Sequence, residues 1–373
     1  MKKVLVLILA FLFTFALVAC GGNAANNSGN DDSQNTTVEA NTGNDNTVQE
    51  NPWGEYPVAS KWGPLDASEI TIGAIMNQED QHQSTVIKGI QAACNDYGVK
   101  LVYSFMNDDV AKQMELMDTW AGQGVQGMLP CIQDESIWSY VVDYADSGLP
   151  VCLPAAGTSE DYIDHTFGCY GNSNYTMSQT CAELSAPIIS DLYGDETVNI
   201  ALLTYETQNA ENSKVRSESF LGELDKAGIN YEVVASQSSW LAEDATQVVG
   251  DILVAHPEVD VIYSCSEGGL IGAINAIQAA ERDGEIFVFG IDVSAQILKL
   301  MEESESLMVA VGNDSYTSGY MNAECLINVL MGNTGEYEDH FGKFDAIPDC
   351  VLNKKDPATL DTYRDLLKGL DIL

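Results

Sequence analysis

Short apolar stretches alternate with helix-length segments along nearly the whole chain after residue 69. Extended stretches are predicted at 70–76, 100–105, 125–130, 150–154, 198–203, 231–235, 259–263, 286–291 and 307–312. Helices are predicted at 84–97, 110–121, 134–147, 211–227, 242–255, 270–280 and 316–330. Strands joined by helices of this length form parallel sheets that are covered on both faces. The alternation therefore predicts an α/β fold with two doubly wound, Rossmann-like lobes of roughly five or six strands each.

The charge balance excludes one class of partner. The chain has 16 Lys and Arg residues against 56 Asp and Glu residues, which gives a formal net charge of −40. Binding to nucleic acid or to an anionic membrane surface requires clustered Lys and Arg that neutralise phosphates. We therefore expect no nucleic-acid partner, and contact with a membrane only through an anchor.

The N-terminus has the pattern of an export signal. Lys2 and Lys3 precede an apolar run at 4–19, which is short for a membrane span and fits a signal peptide. The segment Leu17-Val18-Ala19-Cys20 resembles a bacterial lipobox, in which the cysteine receives a diacylglycerol and becomes the new N-terminus. We expect residues 1–19 to be a lipoprotein signal peptide and Cys20 to be lipidated. An ordinary secretory signal that ends near a cysteine is the alternative.

Residues 20–62 are expected to form a disordered tether. Most of this segment consists of Asn, Gly, Ser, Thr and Asp, and it contains almost no large apolar side chains before Trp53. Such a segment cannot bury enough surface to offset the entropy of an ordered chain. The folded body is therefore expected to begin at about residue 63.

The motifs of common enzymes are absent from the sequence. The stretch from Gly122 to Gly127 matches GxGxxG, but a helix is predicted before it and a strand after it. A dinucleotide site needs the reverse order, so this match predicts only a turn after a helix. The sequence has no HExxH, GxxxxGK[ST] or GxSxG motif, and its four histidines are scattered. We expect no enzymatic activity, no metal site and no cofactor.

Eight cysteines remain after Cys20, and no two of them form a CxxC pair. An even number of cysteines in an exported protein ordinarily indicates disulfides. Cys94, Cys181 and Cys325, however, lie in helical segments beside Ala and Leu, as small core residues do. We therefore favour mostly free, buried thiols over disulfides.

Several segments together resemble a known family. They lie at 70–77, 88–93, 124–130, 147–151, 255–260 and 290–292. Their order and spacing resemble the type I periplasmic sugar-binding proteins of ABC transporters, of the ribose-binding class. The resemblance implies two lobes joined by a three-segment hinge, with the ligand in the cleft between them. It assigns 63–171 and about 314–338 to the N-terminal lobe, and 172–313 and about 339–373 to the C-terminal lobe.

The resemblance also implies a set of ligand-binding residues. They are Asn77, Gln81, Gln83, Ser84, Lys214, Trp240, Ser266, Glu267, Asp292 and Asn313. Lys214 aligns with an arginine that opens a helix in the family, and Arg216 lies two residues further along. Gln83 and Ser84 replace two aromatic residues that the family usually has in the first lobe. Ala155-Ala156 replaces an Asp-Arg pair, so a simple pyranose is in doubt.

The residue types fit a hydroxyl-rich ligand. Amides and carboxylates can pair with several hydroxyls at once, and α/β folds place ligands at the carboxyl ends of their strands. Asp292 follows the predicted strand 286–291 directly and is the strongest candidate. We expect Asp292→Ala to abolish binding and to leave the melting temperature of the empty protein nearly unchanged. The glutamines and Asn77 could instead be solvated loop residues, and Trp240 could belong to the core.

The sequence therefore predicts a solute-binding protein, lipid-anchored on the outer face of the cell membrane. It would capture a small polar ligand, by preference a carbohydrate, and deliver it to the permease subunits of an ABC importer. We expect a monomer. One alternative is a sensor subunit for a histidine kinase or chemoreceptor, and another is a binder of nucleosides or other polyols.

Overall fold

The computed structural model describes residues 36–38, 64–132, 134–154, 161–333, 335, 337 and 340–373. The predicted signal peptide, Cys20 and the tether apart from 36–38 lie outside the described residues, as do Ala155 and Ala156. Within the described part, no helix is both long enough and apolar enough to cross a membrane.

The elements follow the predicted alternation. The strands are β1 (Thr36–Val38), β2 (Thr71–Met76), β3 (Lys100–Phe105), β4 (Gly127–Pro130), β5 (Cys169–Gly171), β6 (Val198–Thr204), β7 (Tyr231–Ser238), β8 (Val261–Ser264), β9 (Phe287–Ile291), β10 (Leu307–Gly312), β11 (Phe344–Ala346) and β12 (Cys350–Asn353). The helices are α1 (Gln81–Tyr97), α2 (Val110–Gly122), α3 (Trp138–Ser147), α4 (Asn174–Tyr193), α5 (Ala210–Lys226), α6 (Ala242–Ala255), α7 (Glu267–Ala279), α8 (Ala295–Glu303), α9 (Ser315–Met331) and α10 (Pro357–Gly369).

Polar side chains fix where most of the helices begin. A Ser, Asp or Asn before the first turn accepts a hydrogen bond from a backbone N–H that has no partner within the helix. These N-cap residues are Asp80, Asp109, Ser173, Asn209, Ser266, Ser294, Asp314 and Asp356.

The first lobe contains a four-stranded sheet in the order β1-β3-β2-β4. β2, β3 and β4 are parallel, whereas β1 runs antiparallel to β3. The prediction of a disordered tether is therefore wrong for residues 36–38, whose backbone pairs with β3. The predicted strand 150–154 is reduced to a single bridge between Val151 and Met128. The first lobe thus has fewer strands than expected.

The second lobe contains a six-stranded sheet in the order β12-β10-β9-β8-β6-β7. Its strands are parallel except β12, which runs antiparallel to β10. The apolar strands bury side chains on both faces, against α7 on one face and α4 on the other. The sequence analysis missed α4, α8, α10 and β12, and all four complete this lobe.

The chain passes between the lobes three times, at about 172–173, 313–314 and 347–349. The short parallel pair of β5 and β11 lies beside these crossings. Phe341 and Ile347 pack against the core of the first lobe, so the predicted start of the last C-terminal-lobe segment at about 339 is too early. The crossing occurs instead just before β12.

One asparagine connects all three crossings. The Nδ2 group of Asn172 donates to the carbonyl oxygen of Ile347 at 3.0 Å and to Asp349 Oδ1 at 2.8 Å. Its Oδ1 accepts from the backbone N–H of Asp314 at 2.9 Å. Both ends of this amide therefore hold the hinge segments together.

In the first lobe, α1 and α9 touch backbone to backbone. A Cβ on Gly89 would lie 2.1 Å from the carbonyl oxygen of Tyr316, and a Cβ on Gly319 would lie 2.1 Å from that of Val86. Neither position can carry a side chain unless the helices move apart.

The structure confirms two readings of the sequence. The GxGxxG stretch joins the end of α2 to the start of β4, and Gly124 has a φ of +85° in the turn. The eight described cysteines are free thiols, and all except the half-buried Cys350 are buried. Burial raises the pKa of the Cys94 thiol to about 12, so this group is protonated and unreactive at neutral pH.

Candidate functional site

Arg216 connects the carboxyl ends of several strands in the second lobe. Its Nη1 donates to the carbonyl oxygen of Cys265, directly after β8, at 2.7 Å. The same nitrogen lies 3.6 Å from Oδ2 of Asp292, directly after β9. Its Nε donates to Asn174 Oδ1 at 2.7 Å, and the guanidinium carbon lies 5.4 Å from the ring centre of Tyr205, directly after β6. The buried guanidinium therefore fixes the side of the site that this lobe provides.

Asp292 is held in an unusual conformation at the end of β9. Its φ is +87°, a region that residues other than glycine rarely adopt. Oδ2 accepts a hydrogen bond at 3.0 Å from the backbone N–H of Glu267, the first residue of α7. The side chain is 25% exposed, and no described residue donates to Oδ1. Strained backbone is concentrated at functional sites, and the fixed Oδ2 leaves Oδ1 as the acceptor that a ligand could use.

Glu267 adds a second carboxylate to the same edge of the sheet. Ser294 Oγ donates a hydrogen bond to its Oε1. Burial raises the pKa of Glu267 above its ordinary value, and the nearby carboxylates of Asp292 and Asp80 raise it further. Ser266 is buried and caps α7 through a bond from Gly269 N–H at 3.3 Å. Ser266 therefore places Glu267, and its own hydroxyl is used inside the lobe.

The first lobe contributes the loop between β2 and α1. Gln83 is buried, and its Oε1 accepts from the backbone N–H groups of Asn77 and, at 3.2 Å, of Gln78. Asn77 Oδ1 accepts from the N–H of Asp108 at 3.2 Å. Ser84 is half-buried in the first turn of α1. Gln83 and Asn77 thus use their carbonyl oxygens to shape this loop, and each keeps an amide nitrogen for other contacts.

Two neighbouring residues at the start of α1 make contacts of different kinds. Gln81 reaches the second lobe, where its Oε1 accepts from the backbone N–H of Ala295 at 3.1 Å. His82 Nδ1 lies 2.6 Å from Ser315 Oγ at the start of α9. Burial lowers the pKa of His82, although Asp80 and Asp292 oppose the shift, so the ring is neutral at neutral pH. The loops that follow β2 and β9 therefore face each other.

The structure does not bring Lys214 into the site. Its side chain is 69% exposed and lies 3.8 Å from Glu218 on the same helix. Residues two apart on an α-helix point about 200° apart, so Lys214 faces solvent where Arg216 faces the strand ends. On this geometry Arg216, and not Lys214, faces the strand ends and is the better candidate for the site.

The other predicted residues lie around the same opening. Trp240 is 43% exposed, and its ring centre lies 5.2 Å from that of Tyr205, so it is a rim residue and not part of the core. Asn313 lies in the second crossing and lines a small recess of about 20 Å³ together with Gln81 and His82. His82, Tyr205 and the central role of Arg216 were missed from the sequence. Of these three residues, only His82 had a signal in the sequence, because it lies between the predicted site residues Gln81 and Gln83.

The described residues contain no group of three or more His, Cys, Asp or Glu side chains that could hold a metal ion. The polar groups of the site are hydrogen-bond donors and acceptors that the fold has already placed. Their arrangement suits reversible binding of a ligand between the lobes.

Comparison with known proteins identifies the family. The family model for the periplasmic binding protein domain matches residues 72–334, which is most of the described chain. The protein belongs to the periplasmic binding protein family. Its predicted membership and its predicted two-lobe α/β fold are thereby confirmed.

Curated relatives are named as binding proteins of import systems. The ABC transporter periplasmic-binding protein YphF of Escherichia coli K12 is 23% identical over 261 residues, covering 65% of this chain and 75% of that protein. The ribose import binding protein RbsB of Bacillus subtilis 168 is 23% identical over 269 residues, covering 71% of this chain and 83% of that protein.

Solved structures share the fold. A periplasmic ribose ABC transporter protein from Conexibacter woesei has a TM-score of 0.69 at 20% identity, covering 81% of this chain and 97% of that one. A solute-binding protein from Bacillus halodurans C-125 with bound myo-inositol has a TM-score of 0.66 at 18% identity, covering 80% of this chain and 99% of that one. These structures show that the chain shares the two-lobe α/β fold of solved solute-binding proteins.

Proposed function

We propose that this periplasmic binding protein captures a small, hydroxyl-rich ligand between its lobes and presents it to an ABC importer. The observation that carries the proposal is the fixed, partly open carboxylate of Asp292. Arg216 and the N–H of Glu267 hold it at the carboxyl ends of the second-lobe strands, opposite the loop that begins α1.

The proposed ligand donates hydroxyl protons to the second lobe. Asp292 and Glu267 offer carboxylate oxygens as acceptors, and bonds to charged acceptors are among the stronger ones. Nε and Nη1 of Arg216 are directed to Asn174, Cys265 and Asp292, so the charge of Arg216 is already paired with that of Asp292. A phosphate or carboxylate on the ligand would meet the carboxylates of Asp292 and Glu267 beside this paired charge, which favours an uncharged ligand.

The aromatic part of the site lies at its rim. Trp240 and Tyr205 form a tilted pair beside Arg216, and the exposed indole can pack on the apolar face of a sugar ring or an inositol. Relatives named for ribose and a neighbour with bound myo-inositol support a carbohydrate or cyclic polyol.

We also propose that the protein is lipid-anchored through Cys20 on the outer face of the cell membrane. The support is the lipobox-like Leu17-Val18-Ala19-Cys20 after an apolar run. Cys20→Ser should leave the protein unprocessed or release it from the membrane while the folded body still binds ligand. Mass spectrometry of the mature wild-type chain showing an unmodified Cys20 would refute the anchor.

Native mass spectrometry of the purified mature protein, followed by a thermal-shift screen of sugars, inositols and nucleosides, tests the function. A ligand that binds only the native state should add about 2.7 kcal/mol of stability at 100 times its Kd. It should also lower the radius of gyration in solution scattering as the lobes close. If no carbohydrate or polyol stabilises the protein and none co-purifies, the proposed ligand class is wrong.

A further inference from the structure

Gln81 uses both ends of its side-chain amide to reach the second lobe. Its Oε1 accepts the backbone N–H of Ala295 at 3.1 Å, and its Nε2 lies 3.4 Å from the hydroxyl of Tyr363. Ala295 is the first residue of α8, and Tyr363 lies in α10 near the C-terminus. The two partners therefore come from different elements of the same lobe.

We infer that Gln81 is a latch between the lobes and not a contact to the ligand. Its Oε1 and its Nε2 both contact atoms of the second lobe, so the side chain is held between the lobes with no ligand present. This assignment replaces the predicted role of Gln81 and goes beyond the proposed function, since it concerns how the closed form is held.

The surface that receives Gln81 is rigid. Tyr363 is buried in the core of the second lobe together with Leu360 and Leu367. The hydroxyl that Gln81 reaches is therefore fixed in place by the packing of its own ring, which lowers the entropy cost of the contact.

A second contact lies on the same face of α1. Lys88 Nζ donates to the backbone carbonyl of Leu370, directly after α10. Lys88 follows Gln81 by seven residues, which is about two helical turns, so both side chains point to the same side. Thr85 lies between them and lines the recess that α1 forms with α10. The C-terminal helix α10 is thus the part of the second lobe that α1 contacts when the lobes are together.

The bond to Ala295 has a specific electrostatic basis. The first N–H groups of a helix have no partner within the helix, and the Ser294 cap serves the N–H of Ile297. Gln81 supplies an acceptor to Ala295 only while the lobes are together, and water replaces it when they separate. A net hydrogen bond of ordinary strength corresponds to a change of about 2- to 10-fold in the closing equilibrium.

A latch and a ligand contact predict different results. Loss of a latch shifts the closing equilibrium without ligand, whereas loss of a side chain that contacts only the ligand leaves the closing equilibrium of the empty protein unchanged. In the full-length mature protein with no ligand added, Gln81→Ala should speed amide hydrogen exchange at Ala295 by about 2- to 10-fold. It should also increase the radius of gyration in solution scattering.

Gln91→Ala is the matched control, because Gln91 lies on the same helix and bonds only within it, to Asn95 at 3.0 Å. This variant should exchange like wild type at Ala295. Gln81→Glu keeps an oxygen acceptor and should restore most of the protection, which shows that the bond and not the packing of α1 is responsible.

Unchanged exchange at Ala295 in Gln81→Ala, with an unchanged radius of gyration, would overturn the latch. Faster exchange in Gln91→Ala to the same degree would overturn it as well, because the effect would then come from α1 as a whole. Neither result bears on whether the cleft binds a sugar, since no ligand is present in the experiment.

Discussion

Removing the carboxylate of Asp292 should destabilise the empty protein as well as abolish ligand binding. In Asp292→Ala, the N–H of Glu267 loses its acceptor at 3.0 Å and Arg216 loses the charge 3.6 Å away. Breaking a buried ion pair by deleting one partner costs about 3–5 kcal/mol. Arg216 keeps Asn174 and Cys265 as acceptors, so we expect the lower end, about 3 kcal/mol, or roughly 6–12 °C in melting temperature. The expectation of a nearly unchanged melting temperature, drawn from the sequence, is thereby revised.

Asp292→Asn separates the charge from the hydrogen bond. Asparagine tolerates a positive φ and still offers an oxygen to the N–H of Glu267, so its cost should be about 1 kcal/mol. Thermal unfolding of both variants without ligand measures the difference, and calorimetric titration with the identified ligand measures the loss of affinity. An Asp292→Ala protein with the melting temperature of the wild type would refute the reasoning, because the positions of Arg216 and α7 would then not depend on this carboxylate.

Three further predictions concern Glu267, His82 and Asn172. Because burial and the carboxylates of Asp292 and Asp80 raise the pKa of Glu267, its ionised form costs stability at neutral pH, so Glu267→Gln should raise the melting temperature of the empty protein. Calorimetry should show this gain shrinking from about pH 7.5 to about pH 5, and an equal gain at both would contradict it. Burial lowers the pKa of His82, so below about pH 6.5 the unfolded chain binds a proton that the folded protein does not. The free energy of unfolding therefore decreases as the pH is lowered. His82→Gln should flatten that decline in urea titrations, and a slope equal to wild type would count against it. Asn172→Ala removes the bonds that tie the three crossings, so the N–H of Asp314 should exchange faster and scattering should report a wider range of lobe angles; wild-type values in both would exclude the hinge role.

Most strands were predictable because each buries a short apolar run. β3 and β10 lie where the sequence predicted them, and the runs at β6, β8 and β9 were located to within about two residues. Helix starts were harder to place. α1 and α7 begin three residues before the predicted positions, because their first turns are polar or glycine-rich and are set by the caps Asp80 and Ser266. α4 was missed, and Pro187 inside it interrupts the usual helical pattern.

The site was predictable where a residue's role follows from its place in the chain. Asp292 directly follows a buried strand, and its position at the strand end needed no side-chain detail. Lys214 was predicted in place of Arg216 because two positions on a helix separate opposite faces, which an alignment of residue types does not show. The engagement of Gln81 with Ala295 and Tyr363 depends on tertiary packing more than 200 residues away in the chain, and no local pattern records it.

The close contact of α1 and α9 at Gly89 and Gly319 has a consequence for how such a protein can diverge. α9 begins at the second crossing and α1 begins with Gln81. Because the two glycines hold these helices in contact, a change in the spacing of the helices would move the hinge segment and the loop at the cleft together. A single added methyl group at either position would push the helices apart and change the resting angle and the binding loop together. New ligand preferences are therefore expected to arise through residues at the second-lobe strand ends, whose side chains can vary without changing the spacing of α1 and α9.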